Sequence, residues 1–220
     1  MTDGIVAAAR NPARTMGPGL EIIGMTNRDG PPAIEGAADG AAALPGLLAC
    51  VEQAERDGAA AIIIACFDDT GLGEARAQAS CPVLGIGEAA YLMARLQGRK
   101  FSVVTSLPVS VPVIEANIGA GGFAAECRSV RASGLPVLTI EEGGEAARAR
   151  LTQEIIAARD ADGAEAIVLG CAGMAQLRAD LALRSSARLI DGVAASVFLA
   201  IAATGYGANT GAGLAPTDGA

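Results

Sequence analysis

The sequence contains one ten-residue pattern twice. Asp57–Cys66 reads DGAAAIIIAC and Asp162–Cys171 reads DGAEAIVLGC, an offset of 105 positions from 57 to 162, and each copy ends in a cysteine. The same offset joins Gly87 to Gly192 downstream without a gap. Two segments that keep one offset over such a stretch are copies of one structural unit, so the chain is predicted to consist of two similar halves.

The residues before each cysteine predict a strand buried on both faces. Ile62–Ala65 and Ile167–Gly170 are short apolar runs without alternation, as in parallel sheets. Each cysteine therefore follows the carboxyl end of a strand, where open α/β sheets bind ligands. A helix is expected next, and its N-terminus would lower the cysteine pKa, leaving the cysteine partly thiolate near neutral pH.

The order of apolar runs and turns predicts an α/β fold. We expect two doubly wound halves, residues 1–98 and 99–205, each with a parallel four-stranded sheet, related by a pseudo-twofold axis that brings the two sulfurs to one cleft. Residues 206–220 are expected to be a disordered tail. The predicted strands are 20–25, 60–65, 83–86, 100–105, 126–130, 166–170 and 188–190. The predicted helices are 2–13, 39–56, 71–78, 88–96, 111–118, 145–160, 173–183 and 193–204.

The first half lacks a counterpart of the first strand of the second half. Shifting Phe101–Ser106 back by 105 positions places its counterpart before Met1. Because this strand is central in a doubly wound half, its absence would leave a gap in a buried sheet. The favoured explanation is a start assigned at an internal Met, with a few upstream residues missing; the alternative is a sheet rearranged around the gap.

Composition excludes several classes of function. Histidine is absent, which removes Ser-His-Asp and Cys-His hydrolases and His-ligated metal sites. A net charge of −8 and 3% aromatic residues argue against nucleic acid. The apolar runs are too short to span a bilayer and no signal peptide is visible, so we expect a soluble cytoplasmic protein. Five cysteines without a C-x-x-C pair predict neither disulfides nor zinc, and Cys50, Cys81 and Cys127 are interpreted as small buried hydrophobes.

Several stretches resemble the hydantoin and allantoin racemases of the aspartate/glutamate racemase superfamily. They are IIIACFDDTGL, VLGIGEAA, FSVVTSLPVSVPVIE, GAEAIVLGCAGM and LIDGVAA, and the resemblance covers nearly the whole chain except the tail. It implies an isomerase that racemises 5-substituted hydantoins or allantoin without cofactor or metal, with the active site between the halves. In that family one cysteine takes the proton from the chiral carbon and the other returns a proton to the opposite face. Carried over, these are Cys66 and Cys171.

Elementary chemistry agrees with this assignment. A carbon acid beside a carbonyl needs a base on one face, an acid on the other, and hydrogen-bond donors for the developing enolate. The donors and other substrate contacts are expected from the loops at the strand ends: Asp69, Thr70, Gly71, Thr105, Ser106, Ala172, Gly173 and Met174. Asp69 and Thr70 have an alternative interpretation as caps of the following helix.

The chain departs from relatives in two informative ways. It lacks the first strand and the Asn-Pro-Asn-Thr-like loop with which the family usually begins, and it lacks the Cys-Asn-Thr motif and histidine of amino-acid racemases, which argues against free aspartate or glutamate. A homo-oligomer is expected from the apolar helices and the size of relatives. Two alternatives stay open: a one-cysteine relative, such as an arylmalonate-type decarboxylase or a maleate-type isomerase, and a catalytically silent small-molecule-binding protein. The second cysteine argues against the decarboxylase.

Overall fold

A computed structural model of the chain describes residues 1–17 and 19–211, in which helices pack around two parallel sheets. The strands are β1 Ile62–Ile64, β2 Val83–Gly85, β3 Phe101–Thr105, β4 Cys127–Ala132, β5 Ala166–Gly170 and β6 Leu189–Asp191. The α-helices are α1 Thr2–Met16, α2 Ala37–Arg56, α3 Leu72–Gln78, α4 Ile86–Leu96, α5 Val111–Ala120, α6 Val137–Glu142, α7 Glu145–Asp160, α8 Arg178–Ser185 and α9 Gly192–Gly211. Two 3-10 helices cover Pro108–Ser110 and Ala172–Leu177.

The second half contains the expected four-stranded sheet. Its order is β4-β3-β5-β6 and all neighbours are parallel. Every residue of β3 and β5 is buried, because helices cover both faces of these central strands. The predicted α/β class with parallel sheets is thereby confirmed, whereas the pseudo-twofold relation of the halves stays a prediction.

The first half has fewer strands than the three predicted for it. Its sheet has two, β1 and β2, paired in parallel. The predicted strand 20–25 runs without regular secondary structure or a strand partner among the described residues, and Ile23 is 72% exposed. Its counterpart in the repeat is β4, which pairs with β3 alone.

The two halves share one core. Tyr91 of α4 stacks on Phe101 of β3 with ring centroids 5.6 Å apart and meets Phe67 edge-on at 5.7 Å. These three side chains and Val193 of α9 belong to a single buried cluster. Apolar contact between the halves fixes the positions of the strand ends, which carry the cysteines.

Three local predictions need correction. Helix α6 lies in a stretch for which no helix is predicted; Pro136, at its N-cap, is compatible with a helix starting at the next residue. The start of the predicted helix 173–183 is a 3-10 helix instead. Helix α9 continues to Gly211, into the predicted disordered tail; the rest of that tail lies outside the described residues. No helix in the described ranges has the length and apolar character needed to cross a membrane.

Candidate active site

Both cysteines of the repeat line one cavity of about 900 Å³. Its wall includes β1, the unpaired segment 22–28 and the end of β5, together with Thr105 and Ser106 after β3. Because the carboxyl ends of parallel strands lie at one edge of a sheet, both halves present their cysteines to the same space. The sequence-based expectation of one shared cleft therefore agrees with the observed placement of the two side chains.

The chain makes the same turn after each cysteine. The Asp69 N–H donates to the Cys66 carbonyl at 3.1 Å, and the Met174 N–H donates to the Cys171 carbonyl at 3.0 Å, again at an offset of 105. The turn directs the N–H of the second residue after each cysteine, Asp68 or Gly173, at the sulfur. These N–H groups favour the thiolate form of each cysteine.

The two sulfurs nevertheless have different surroundings. Cys66 is half-buried, and its Sγ lies 3.5 Å from the Thr70 hydroxyl oxygen. Cys171 is 8% exposed and belongs to the core cluster of the second half. Asp68 and Asp69 follow Cys66, whereas Gly173 and Met174 occupy the equivalent positions after Cys171. Negative charge is therefore concentrated on the Cys66 side of the cavity.

The expectation of lowered cysteine pKa values is wrong for the free protein. Burial, reinforced by the negative charge of Asp68, raises the pKa of Cys66 to about 11. Burial raises the pKa of Cys171 to about 12, and the charges of Cys66 and Asp68 add to this rise. The loss of hydration outweighs the backbone N–H groups, and Cys171 precedes a 3-10 turn rather than an α-helix. Both groups are thiols at neutral pH.

Alkylation measures this protonation state. At pH 7, iodoacetamide is expected to modify Cys66 and Cys171 slowly, with rates that rise about tenfold per pH unit up to pH 10, because only the thiolate reacts. Asp68→Asn should accelerate both reactions, since it removes a charge that opposes ionisation. Mass spectrometry of the two cysteine peptides gives the rates, with Cys50 as an internal reference. A plateau already reached near pH 7 would contradict the raised pKa values.

Asp69 turns away from the cavity and holds the cysteine loop to α4. Its carboxylate accepts the N–H groups of Gly87 at 2.9 Å and Glu88 at 2.7 Å. A Cβ at Gly85 would lie 2.2 Å from this carboxylate, so glycine is required there. Burial raises the pKa of Asp69 to about 7, although both N–H groups oppose the rise. The alternative interpretation of Asp69 as a cap of the following helix α3 is wrong, because its carboxylate accepts N–H groups from the first turn of α4 instead.

Removing the Asp69 carboxylate should destabilise the fold. Asp69→Ala leaves two helix N–H groups unpaired and is expected to lower the free energy of unfolding by about 2 kcal/mol in urea titrations. Asp39→Ala is a matched control that frees a single N–H, that of Glu35, and should cost less. Because the folded pKa lies above the ordinary 3.8, Asp69 makes stability fall as pH rises from about 4 to 7. The Asp69→Ala variant should lack that part of the slope; an unchanged slope would contradict the assignment.

The predicted substrate contacts divide into two groups. Thr105, Ser106 and Ala172 line the cavity with the two cysteines. Asp69, Thr70, Gly71, Gly173 and Met174 are not among its lining residues. Met174 is fully buried in the core, and Gly71 adopts a left-handed conformation with φ 69° at the start of α3. The loop residues that do not line the cavity therefore shape the turns that position the sulfur atoms of Cys66 and Cys171.

Sequence reasoning missed Asp68. This side chain lines the cavity, yet it is 9% exposed and its Oδ2 has no hydrogen-bond partner among the described residues. Burial raises its pKa to about 6. The available signal was the repeat itself, since an acidic residue in the first half stands where the second half has Gly173.

Comparisons with known proteins agree over most of the chain. A family model described as Asp/Glu/Hydantoin racemase matches residues 1–200. The hydantoin racemase of Rhizobium meliloti is 49% identical over 179 residues, which are 81% of this chain and 74% of that protein. The solved allantoin racemase from Klebsiella pneumoniae has a TM-score of 0.88 and 39% identity, covering 94% of this chain and 83% of that one. For the allantoin racemase from Pseudomonas fluorescens the values are 0.82 and 33%, covering 94% and 88%.

Proposed function

The chain belongs to the Asp/Glu/hydantoin racemase family of isomerases, and from this membership we propose that it racemises 5-substituted hydantoins or allantoin with Cys66 and Cys171 as the two acid–base groups. One observation carries the proposal. Both cysteines of the internal repeat line a single cavity, and each is followed by an equivalent turn that directs a backbone N–H at its sulfur. A pair of matched acid–base groups is what a reaction that must run equally in both directions needs.

The proton inventory of the reaction is simple. Since both groups are thiols at neutral pH, one of them first loses its proton to solvent. The resulting thiolate takes the proton from C5 and becomes a thiol, while the thiol on the other face gives its proton to C5 and becomes a thiolate. The opposite enantiomer reacts with the roles reversed. The carbanion is stabilised as an enolate of the adjacent ring carbonyl, so no redox step or group transfer is required.

Residues at the end of β3 are proposed to support the enolate. Thr105 and Ser106 line the cavity, but the Thr105 hydroxyl donates to the Gly170 carbonyl at 2.8 Å. Its proton is thus committed to holding β3 and β5 together just before Cys171. Ser106 is the better candidate donor to the enolate oxygen, because its side-chain hydroxyl takes no part in this contact between the strands.

The test follows an enantiopure 5-benzylhydantoin in D2O. Decay of the circular dichroism signal, together with appearance of deuterium at C5 by proton NMR, is the expected result; allantoin and L-glutamate are tested in parallel. Exchange of hydantoin or allantoin but not glutamate supports the proposal. If neither cyclic ureide exchanges its proton, the proposal fails and the catalytically silent binding protein becomes the better interpretation.

A further inference from the structure

Asp68 has a property that the proton-transfer scheme does not use. Its side chain lies in the wall of the cavity and is buried, and one carboxylate oxygen, Oδ2, finds no donor among the described residues. The neighbouring Asp69 shows the contrast, because its carboxylate accepts two backbone N–H groups. A buried carboxylate oxygen without a donor is costly, so a group that supplies an N–H at this point would bind favourably.

The position of Asp68 is central to the site. Its charge acts on both Cys66 and Cys171, which places it near the two groups that must flank the reacting carbon. The Asn117 side chain donates to its backbone carbonyl at 2.8 Å and helps to fix the segment. The second copy of the repeat has no acidic residue at the position equivalent to Asp68, because Gly173 stands there. A ligand held by Asp68 is therefore anchored from one half only, in a defined orientation.

The chemistry of the cavity favours a neutral donor. Besides Asp68, its charged side chains are Asp3 and Arg28, both at exposed positions. A free amino acid would have to shed the hydration of both its ammonium and its carboxylate, and only the ammonium could pair with Asp68, whereas the carboxylate would lie near a like charge. A cyclic ureide is neutral and carries N–H donors on a rigid ring, so it can satisfy the oxygen without adding charge.

We propose that Asp68 is a specificity-determining residue that accepts a hydrogen bond from a ring N–H of the substrate and thereby selects neutral cyclic ureides over amino acids. This inference rests on the racemase function proposed above. With the ring held by Asp68, C5 stays between the sulfurs while its proton changes sides. The same anchor thus serves both enantiomers.

Binding of achiral ligands tests the inference separately from catalysis. Calorimetry compares hydantoin, 1-methylhydantoin and 3-methylhydantoin with the wild-type chain, Asp68→Asn and Asp68→Ala. The wild type is expected to bind hydantoin at least tenfold more tightly than one of the methylated ligands, because methylation removes one donor. Asp68→Ala should reduce this preference to less than twofold, and Asp68→Asn should fall between them, since its amide oxygen is a weaker acceptor than a carboxylate.

Tyr91→Phe is the matched control for the possibility that Asp68 accepts a hydrogen bond from within the protein and not from a ligand. The Tyr91 hydroxyl is also buried, has no hydrogen-bond partner in the described part of the chain, and is not among the cavity-lining residues. Burial raises the pKa of Tyr91, and the charge of Asp68 adds to this rise, so the two side chains lie near each other. If Tyr91 is the hidden donor to Asp68, both variants will change ligand preference alike; the inference requires that Tyr91→Phe retain it. Thermal unfolding monitored by circular dichroism verifies that each variant is folded.

The outcomes separate the inference from the function. A wild-type chain that racemises hydantoins while folded Asp68→Ala keeps its full preference for the unmethylated ligand would overturn the role of Asp68 alone. Equal binding of all three ligands by the wild type would do the same. A wild-type chain that neither binds nor racemises any cyclic ureide would remove the proposed function, and the inference with it.

Discussion

Alanine at either Cys66 or Cys171 is expected to reduce the rate of hydantoin racemisation by about 10³-fold or more. Each substitution removes the acid–base group on one face of C5, and no histidine exists in the chain to replace it. The remaining thiol can still exchange the C5 proton of the one enantiomer that presents this proton to it. Each variant should therefore label a single enantiomer with deuterium, and the two variants should label opposite ones.

The control is Cys81→Ala. Cys81 precedes β2, and it is absent from the residues that line the cavity. Its replacement should leave the racemisation rate within about twofold of the wild type. Retention of racemisation in either Cys66→Ala or Cys171→Ala, or labelling of both enantiomers by one of these variants, would exclude the two-cysteine mechanism.

Gly192→Ala is expected to cause the largest loss of stability among single methyl additions. A Cβ at this first residue of α9 would lie 2.2 Å from the Ile86 carbonyl oxygen, so the backbones of α4 and α9 would have to separate. Overpacking of this kind costs about 3 kcal/mol, which for a chain of this length lowers Tm by roughly 10 °C. Because α9 and α4 each begin directly after a strand of their own half, racemase activity should also fall in the folded fraction.

Gly119→Ala is expected to have the opposite effect on the stability of the fold. Gly119 lies in α5 with no heavy atom near its added Cβ, so alanine should be neutral or stabilise by up to about 1 kcal/mol through helix propensity. Chemical denaturation of both variants compares the two effects. Equal stabilities would show that the close approach of α9 to the Ile86 carbonyl is not required by the fold.

Much of the secondary structure of the second half was predicted correctly from local sequence patterns. The runs at 145–160 and 166–170 predicted α7 and β5 with the observed bounds, because a long helical pattern and a continuous apolar run are unambiguous signals. In the first half, residues 20–25 have the composition of a strand, but no strand in the described ranges pairs with them. Strand formation depends on a neighbour in the sheet, which propensity alone cannot supply.

The candidate site was also predicted only in part from the sequence. The repeat predicted a candidate pair of cysteines and that they would share a cleft, since residues at one offset in a duplicated unit occupy equivalent positions. It did not predict their protonation state. A pKa depends on burial and on charges from every direction, and here burial outweighs the local backbone groups.

The sequence by itself determined the α/β class and the family, and it predicted the duplicated organisation and the pair of cysteines. These properties are encoded by periodicity, by one constant offset and by short motifs, all of which are local along the chain. Only the tertiary structure decided that Asp69 faces α4 while the adjacent Asp68 faces the cavity, and that both thiols are protonated. Those features arise from groups far apart in sequence, because desolvation and hydrogen bonding depend on what the fold brings together.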